Sequence, residues 1–203
     1  MDPRHTALVI IDLQNDFLAP DGAYARGGAV SAAAQALPPR VAAVAKALKA
    51  AGGMVVGSQF TLWPDAQGEP MVSPHLKALR PFLRRGDFAP GSSGPGPCAR
   101  DSHPGWTCRC ARWRIRPSST PSSTGCCAAQ GITTVAVCGI VTNGGVASTV
   151  RDAHMRDYQT LVLSDGCAAF RQEVHDTSVA DMANVAQVLT CADFAAAVAA
   201  PSA

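Results

Sequence analysis

Two short stretches carry residues whose types and spacing could do chemistry. The first is VIIDLQNDF, residues 9–17, in which an apolar run stops at Asp12 and is followed by Gln14, Asp16 and Phe17. A carboxyl group at the end of a buried strand can give or take a proton, and burial there favours its protonated form. The second is GIVTNGGVAST, residues 139–149. An apolar strand reaches Ile140 and Val141, then Thr142, Asn143, Gly144 and Gly145 make a turn, and a helix begins. This is the build of a turn that presents a nucleophile beside backbone N–H donors able to hold an oxyanion. Gly145 stands where the nucleophile is expected and has no side chain. Thr142 and Asn143 also suit an ordinary turn, and paired glycines also suit close packing of a helix on a sheet.

The elements around these stretches alternate. Residues 7–12, 54–60, 133–140, 159–165 and 186–190 are short apolar runs that read as strands. Residues 39–53, 73–83, 145–158, 171–185 and 192–200 carry helical spacing, with a Gly-Gly stop after the first and a Ser-Pro start to the second. Strands alternating with helices predict a mostly parallel sheet in a three-layer α/β/α domain spanning residues 1–203. Active sites of such sheets lie beyond the carboxyl ends of the strands. Asp12 and the turn at 139–149 both fall there.

A net charge of +2 with 16% charged residues gives no argument for a nucleic-acid or membrane partner. The N-terminal apolar run is too short for a signal peptide or a spanning helix, so a cytoplasmic location is expected. Thiols stay reduced in that compartment. Cys138, Cys167 and Cys191 lie in or beside strand-like runs and read as core. With no C-x-x-C pair and no histidine pair at zinc spacing, no metal is expected.

The remaining cysteines, Cys98, Cys108, Cys110, Cys126 and Cys127, fall in one anomalous segment, 89–127, whose only branched aliphatic residue is Ile115. A structureless loop of that length does not suit a compact domain. It reads either as a disordered insertion or as the product of a frame error. Reading codons 116–128 from one base earlier permits SFFDTELDWLLR, an amphipathic helix leading into the strand at 133–140. The codons of Ala111 and Arg112 then permit Lys, with Glu or Gln equally allowed.

VIIDLQNDF together with VCGIVTNGGVASTVRDAHMRDYQTLVLSDGCAAF, residues 137–170, resembles the isochorismatase-like (cysteine) hydrolase superfamily, over nearly the whole chain outside 89–127. The resemblance implies that family's α/β fold, a catalytic Asp at Asp12, a nucleophile position at Gly145 and a cis peptide at Ile140–Val141. It also implies a catalytic Lys just before Ser-x-Phe. Lys46, Lys49 and Lys77 belong by their neighbours to the first two helices, so that lysine is missing from the chain as written.

Two chemistries follow from the resemblance. Cysteine members hydrolyse amides through an acyl-enzyme, for which this chain lacks the thiol. Members with glycine at that position hydrolyse a vinyl ether, with the Asp acting as a proton donor and no covalent intermediate. The reading adopted is a small-molecule hydrolase of the second kind, with Asp12 as the acid. The alternatives are an amidase or ureidase relic that has lost its nucleophile, and a non-catalytic small-molecule binder. Gln14, Phe17, Phe60 and Trp63 are candidate pocket residues, Gln14 serving equally to hold its loop. Metal-binding relatives place Asp and His after the second strand. Here Asp65 has no nearby His before His75, so no cofactor is expected. Homo-oligomers, dimers or tetramers, are the implied assembly.

Overall fold

The apolar run that begins the chain becomes the middle of a sheet. In the computed structural model, which describes residues 1–90, the backbone of 108–113, and 131–200, β1 Thr6–Ile11 is buried at every position. It is flanked by β2 Met54–Thr61 and, on its other side, by β4 Thr134–Ile140. β5 Gln159–Ala168 pairs with β4, and β6 Gln187–Leu189 pairs with β5. With β3 Cys108–Trp113 beyond β2, all pairings in the order β3-β2-β1-β4-β5-β6 are parallel. Strands enclosed on both faces need apolar side chains throughout, which is why β1 and β4 read as continuous runs.

β3 Cys108–Trp113 lies inside the anomalous segment 89–127, which reads as a disordered insertion or a frame error, and it pairs with β2 over its whole length. The sequence CRCARW carries neither alternation nor an apolar run, so no pattern announces it. Among the described residues it is an edge strand with a single neighbour, where backbone pairing can form without that signal. The helix permitted by the shifted frame lies outside the described residues.

Longer helices connect the strands. α4 Leu37–Ala50 follows three single-turn helices, α1 Asn15–Leu18, α2 Ala23–Arg26 and α3 Ala32–Gln35. α5 is Pro74–Leu79, α6 is Ala147–His154, α7 is Gln172–Met182 and α8 is Cys191–Ala199. From β1 the chain crosses through α4 to β2 in one direction along the sheet. From β4 it crosses through α6 to β5 in the other. Right-handed crossovers in opposite directions put their helices on opposite faces. α4 accordingly packs with α8, and α6 with α7. α4 buries Leu37, Val41, Val44 and Leu48 along one stripe.

The reversal of direction falls between β1 and β4, and crevices open at such switch points. Asp12 follows the last residue of β1, and the turn follows the last residue of β4. Gly139 lets the two strand ends meet. Its φ is +116°, and a Cβ there would lie 2.2 Å from the Ile11 carbonyl oxygen. Only glycine tolerates both conditions. The Ile140–Val141 peptide is cis.

Candidate active site

Asp12 leaves β1 with φ +49°, in the left-handed region that Asp enters more readily than most residues. That twist brings the Gln14 N–H to the Asp12 carbonyl at 2.7 Å and turns the carboxyl group aside from the strand. Ser58 of β2 donates its hydroxyl to Asp12 Oδ1 at 2.6 Å, and the Asp12 N–H lies 3.3 Å from both Ser58 oxygens. Asp12 is 6% exposed and Ser58 3%. The carboxyl is therefore oriented by a neighbour strand, and Asp12 borders a cavity while Ser58 stays buried behind it.

The opposite wall is a single wide turn, Thr142–Val146, with α-helix beyond it. The N–H groups of Gly144 and Val146 both donate to the Val141 carbonyl, at 3.0 and 3.3 Å. These two donors are consumed inside the turn and do not serve an oxyanion. Thr142 is fully buried, its hydroxyl 2.9 Å from His175 Nδ1 on α7. Thr149 donates its hydroxyl to the Gly145 carbonyl at 2.8 Å, fastening the turn to the first residues of α6.

Between the walls lies a cavity of about 270 Å³. Asp12, Ile140, Val141, Gly144, Gly145 and Ser148 line it on the side of β1 and the turn. Phe17, Tyr24, Phe60, Leu76 and Arg80 complete it. Its apolar side is an aromatic cluster: Phe17 packs on Tyr24 and Phe88 at 4.7 Å each, and Phe60 meets Phe88 edge-on at 4.9 Å. Every phenylalanine except Phe194 belongs to this cluster or touches it.

The Isochorismatase domain family model matches residues 6–193. The chain belongs to the isochorismatase family. Members of the family are hydrolases. The uncharacterized isochorismatase family protein YwoC of Bacillus subtilis is 40% identical over 50 residues, 25% of this chain and 26% of YwoC. That match therefore spans about a quarter of the curated relative's length. Two solved structures share the fold. A cysteine hydrolase from Pseudomonas syringae superposes with TM-score 0.73 at 22% identity, covering 98% of this chain and 94% of that one. A pyrazinamidase/nicotinamidase from Streptococcus mutans superposes with TM-score 0.71 at 23% identity, covering 91% and 99%.

Within this isochorismatase-family fold the residues expected from the sequence separate into two groups. Asp12, Gly145, Ile140, Val141, Gly144, Phe17 and Phe60 converge on the cavity. Gln14, Trp63, Thr142 and Asn143 do not line it. The Gln14 amide donates to the Phe60 carbonyl at 3.0 Å and accepts from the Phe60 N–H at 2.7 Å, so it splices its loop onto β2 as a strand residue would. Trp63 lies past the end of β2, 46% exposed. Asp65 spends its carboxylate on its own loop, accepting from the N–H groups of Gln67 and Glu69 at 2.9 Å each. Among the described residues, no group of three or more His, Cys, Asp or Glu side chains could hold a metal ion. Neither does any described helix have the length and apolarity to cross a membrane.

Lys46 and Lys49 lie exposed on α4 and Lys77 on α5, and none lines the cavity. Cys138, Cys167 and Cys191 are thiols outside any disulfide, buried in the body of the fold. Burial pushes the Cys167 thiol well up and the Cys191 thiol up to about 12, so neither supplies a thiolate at neutral pH. Three contributors escaped the sequence reading: Ser58, Tyr24 and Arg80. Ser58 left a faint signal as a hydroxyl within a buried strand. Tyr24 and Arg80 left none: Tyr24 sits on single-turn α2 and Arg80 just past the end of α5, and no motif marks either.

Proposed function

We propose that the chain is a non-covalent hydrolase of a small molecule, with Asp12 moving the proton and a vinyl ether as the substrate class. One observation carries this reading: a buried, hydroxyl-oriented carboxyl group faces a turn that has glycine in place of a nucleophile. A carboxyl in that setting can deliver its proton to the terminal carbon of an enol ether. Water adds to the oxocarbenium carbon and returns a proton to the carboxylate. The resulting hemiketal then parts into an alcohol and a keto acid. No bond from enzyme to substrate forms, so no thiol is required. Gly145 leaves the room a cyclic substrate needs above the turn. The amidase reading asks for a nucleophile, and none of the described cysteines borders the cavity.

Turnover of isochorismate, followed by release of pyruvate, tests the proposal. Asp12→Asn keeps the shape and removes the proton, and should lower the rate by about 10²-fold or more. Unchanged turnover in that variant overturns the role of Asp12. Gly145→Cys, assayed on small amides and ureides, tests the competing reading. Amidase activity in that variant would make the chain a relic of a thiol enzyme.

A further inference from the structure

We propose that His175 is a positioning residue of the site: from a helix that does not reach the cavity, it fixes, through Thr142, the glycine turn that forms one cavity wall. The inference rests on the cavity being the substrate site, as proposed above, but on no step of the hydrolysis.

Thr142 cannot satisfy its hydroxyl locally. A Ser or Thr inside a helix returns its hydroxyl to the carbonyl four residues back. Thr149 does so with Gly145, Thr177 with Glu173 and Ser178 with Val174. Four residues before Thr142 stands Cys138, inside β4, and the extended backbone carries that carbonyl out of reach. Thr142 is also fully buried, so bulk water cannot serve it, and an unpaired hydroxyl there is costly. Its partner is Nδ1 of His175, at 2.9 Å and 33 residues further along the chain.

His175 lies in the first turn of α7. That helix packs against the turn Thr142–Val146, yet none of its residues lines the cavity. The wall itself consists of Gly144 and Gly145, which have no side chains to pack and the softest backbone of any residue. Within the turn, the N–H groups of Gly144 and Val146 share a single acceptor, the Val141 carbonyl. A turn of that kind needs fastening from outside. At its far end Thr149 holds the Gly145 carbonyl. At its near end the fastening is Thr142 to His175. Without that bond the two glycines can relax into the space above Gly145, which the substrate is to occupy.

Amide hydrogen exchange followed by NMR tests this without reference to activity. In Thr142→Val, which keeps the shape and loses the hydroxyl, the N–H groups of Gly144 and Val146 should exchange about tenfold faster, the worth of one hydrogen bond. Those of β1 should be unchanged. His175→Gln should do the same, because its amide group reaches the place of Nε2. His175→Asn puts its amide at the place of Nδ1 and should restore the parent rates. Parent rates at Gly144 and Val146 in either Thr142→Val or His175→Gln overturn the proposal, as does an equal rise in the turn and in β1, which would mark a bond that serves only global stability. With isochorismate, kcat/KM should fall by a similar factor in Thr142→Val and in His175→Gln, no further in the double variant, and recover in His175→Asn. Undiminished turnover by variants whose turn exchanges faster also overturns it. Turnover that is absent, or indifferent to Asp12→Asn, defeats the hydrolytic proposal alone and leaves the exchange rates to decide the role of His175. Asp12-dependent turnover with unaltered exchange defeats the positioning role alone.

Discussion

Asp12 and Asp16 stand four residues apart in the same motif and meet opposite demands. Asp12 faces the cavity, whereas Asp16 is turned toward the chain at Phe88, whose N–H it accepts at 3.1 Å. Burial raises the Asp16 pKa above the usual carboxylate value, partly offset by that N–H. An acid whose pKa is raised by folding stabilises the fold when protonated, and this contribution fades as pH climbs through the folded value. Asp16→Asn keeps an acceptor for Phe88 and removes the titration. Its urea midpoint should therefore gain on the parent's between pH 4 and pH 7. A parent that gains on the variant over this range would show the opposite sign. The motif DLQNDF was legible as an apolar strand that ends at Asp12 with Gln14, Asp16 and Phe17 close behind. What the sequence hid were the partners themselves: Ser58 lies 46 residues from Asp12, and Arg80 56 residues from Tyr24. Nothing local marks such pairs.

At the scale of elements, patterning was a good guide where a strand is enclosed and a poor one where it is not. β1 and β4 were legible as unbroken apolar runs. β5 runs on to Ala168, past the expected end at 165, because a register shift between Val137 and Gly139 of β4 lets its polar residues bulge from the ladder. α5 stops at Leu79 rather than continuing to 83, because Pro81 drives the residue before it out of the helical region. The join of β1 and β4 depends on one atom being absent. Gly139→Ala would combine a left-handed φ with a Cβ overlapping the Ile11 backbone, and backbone cannot swing away as a side chain can. We expect a loss of at least about 3 kcal/mol in denaturant unfolding, from strain and overpacking together. Gly144→Ala is the control. Its Cβ would meet only the Val141 side chain, at 2.9 Å, so it should cost clearly less. Equal losses in the two variants would refute the close approach as the reason for glycine at 139.

At the scale of the whole molecule, the order of the sheet shows where the lysine that the site lacks would stand. The registers align Ile10 with Gly57 and Gly57 with Arg109. Two residues further along, Asp12 and Ala111 stand at the same level of the sheet, two strands apart. The codons of Ala111 and Arg112 are those that permit Lys when read from one base earlier, so the residue lost from the motif would fall at the carboxyl end of β3, beside the crevice. The same shift turns codons 116–128 into SFFDTELDWLLR, a helix with Phe, Leu and Trp on one face, placed where a crossover from β3 to β4 needs one. A chain carrying that restored reading should bury several large side chains that the present one does not have. At about 2 kcal/mol for each such residue, even one or two of them raise the thermal midpoint by at least about 4 °C for a chain of this size. The restored chain should also turn over isochorismate faster than the present one, with Asp12→Asn abolishing the gain. Determining the nucleotide sequence across codons 89–130 and comparing thermal unfolding of the two chains decides the matter. A single uninterrupted frame, or a restored chain that melts no higher, rules out the frame error and leaves 89–127 as a true insertion in a family fold that must work without the lysine.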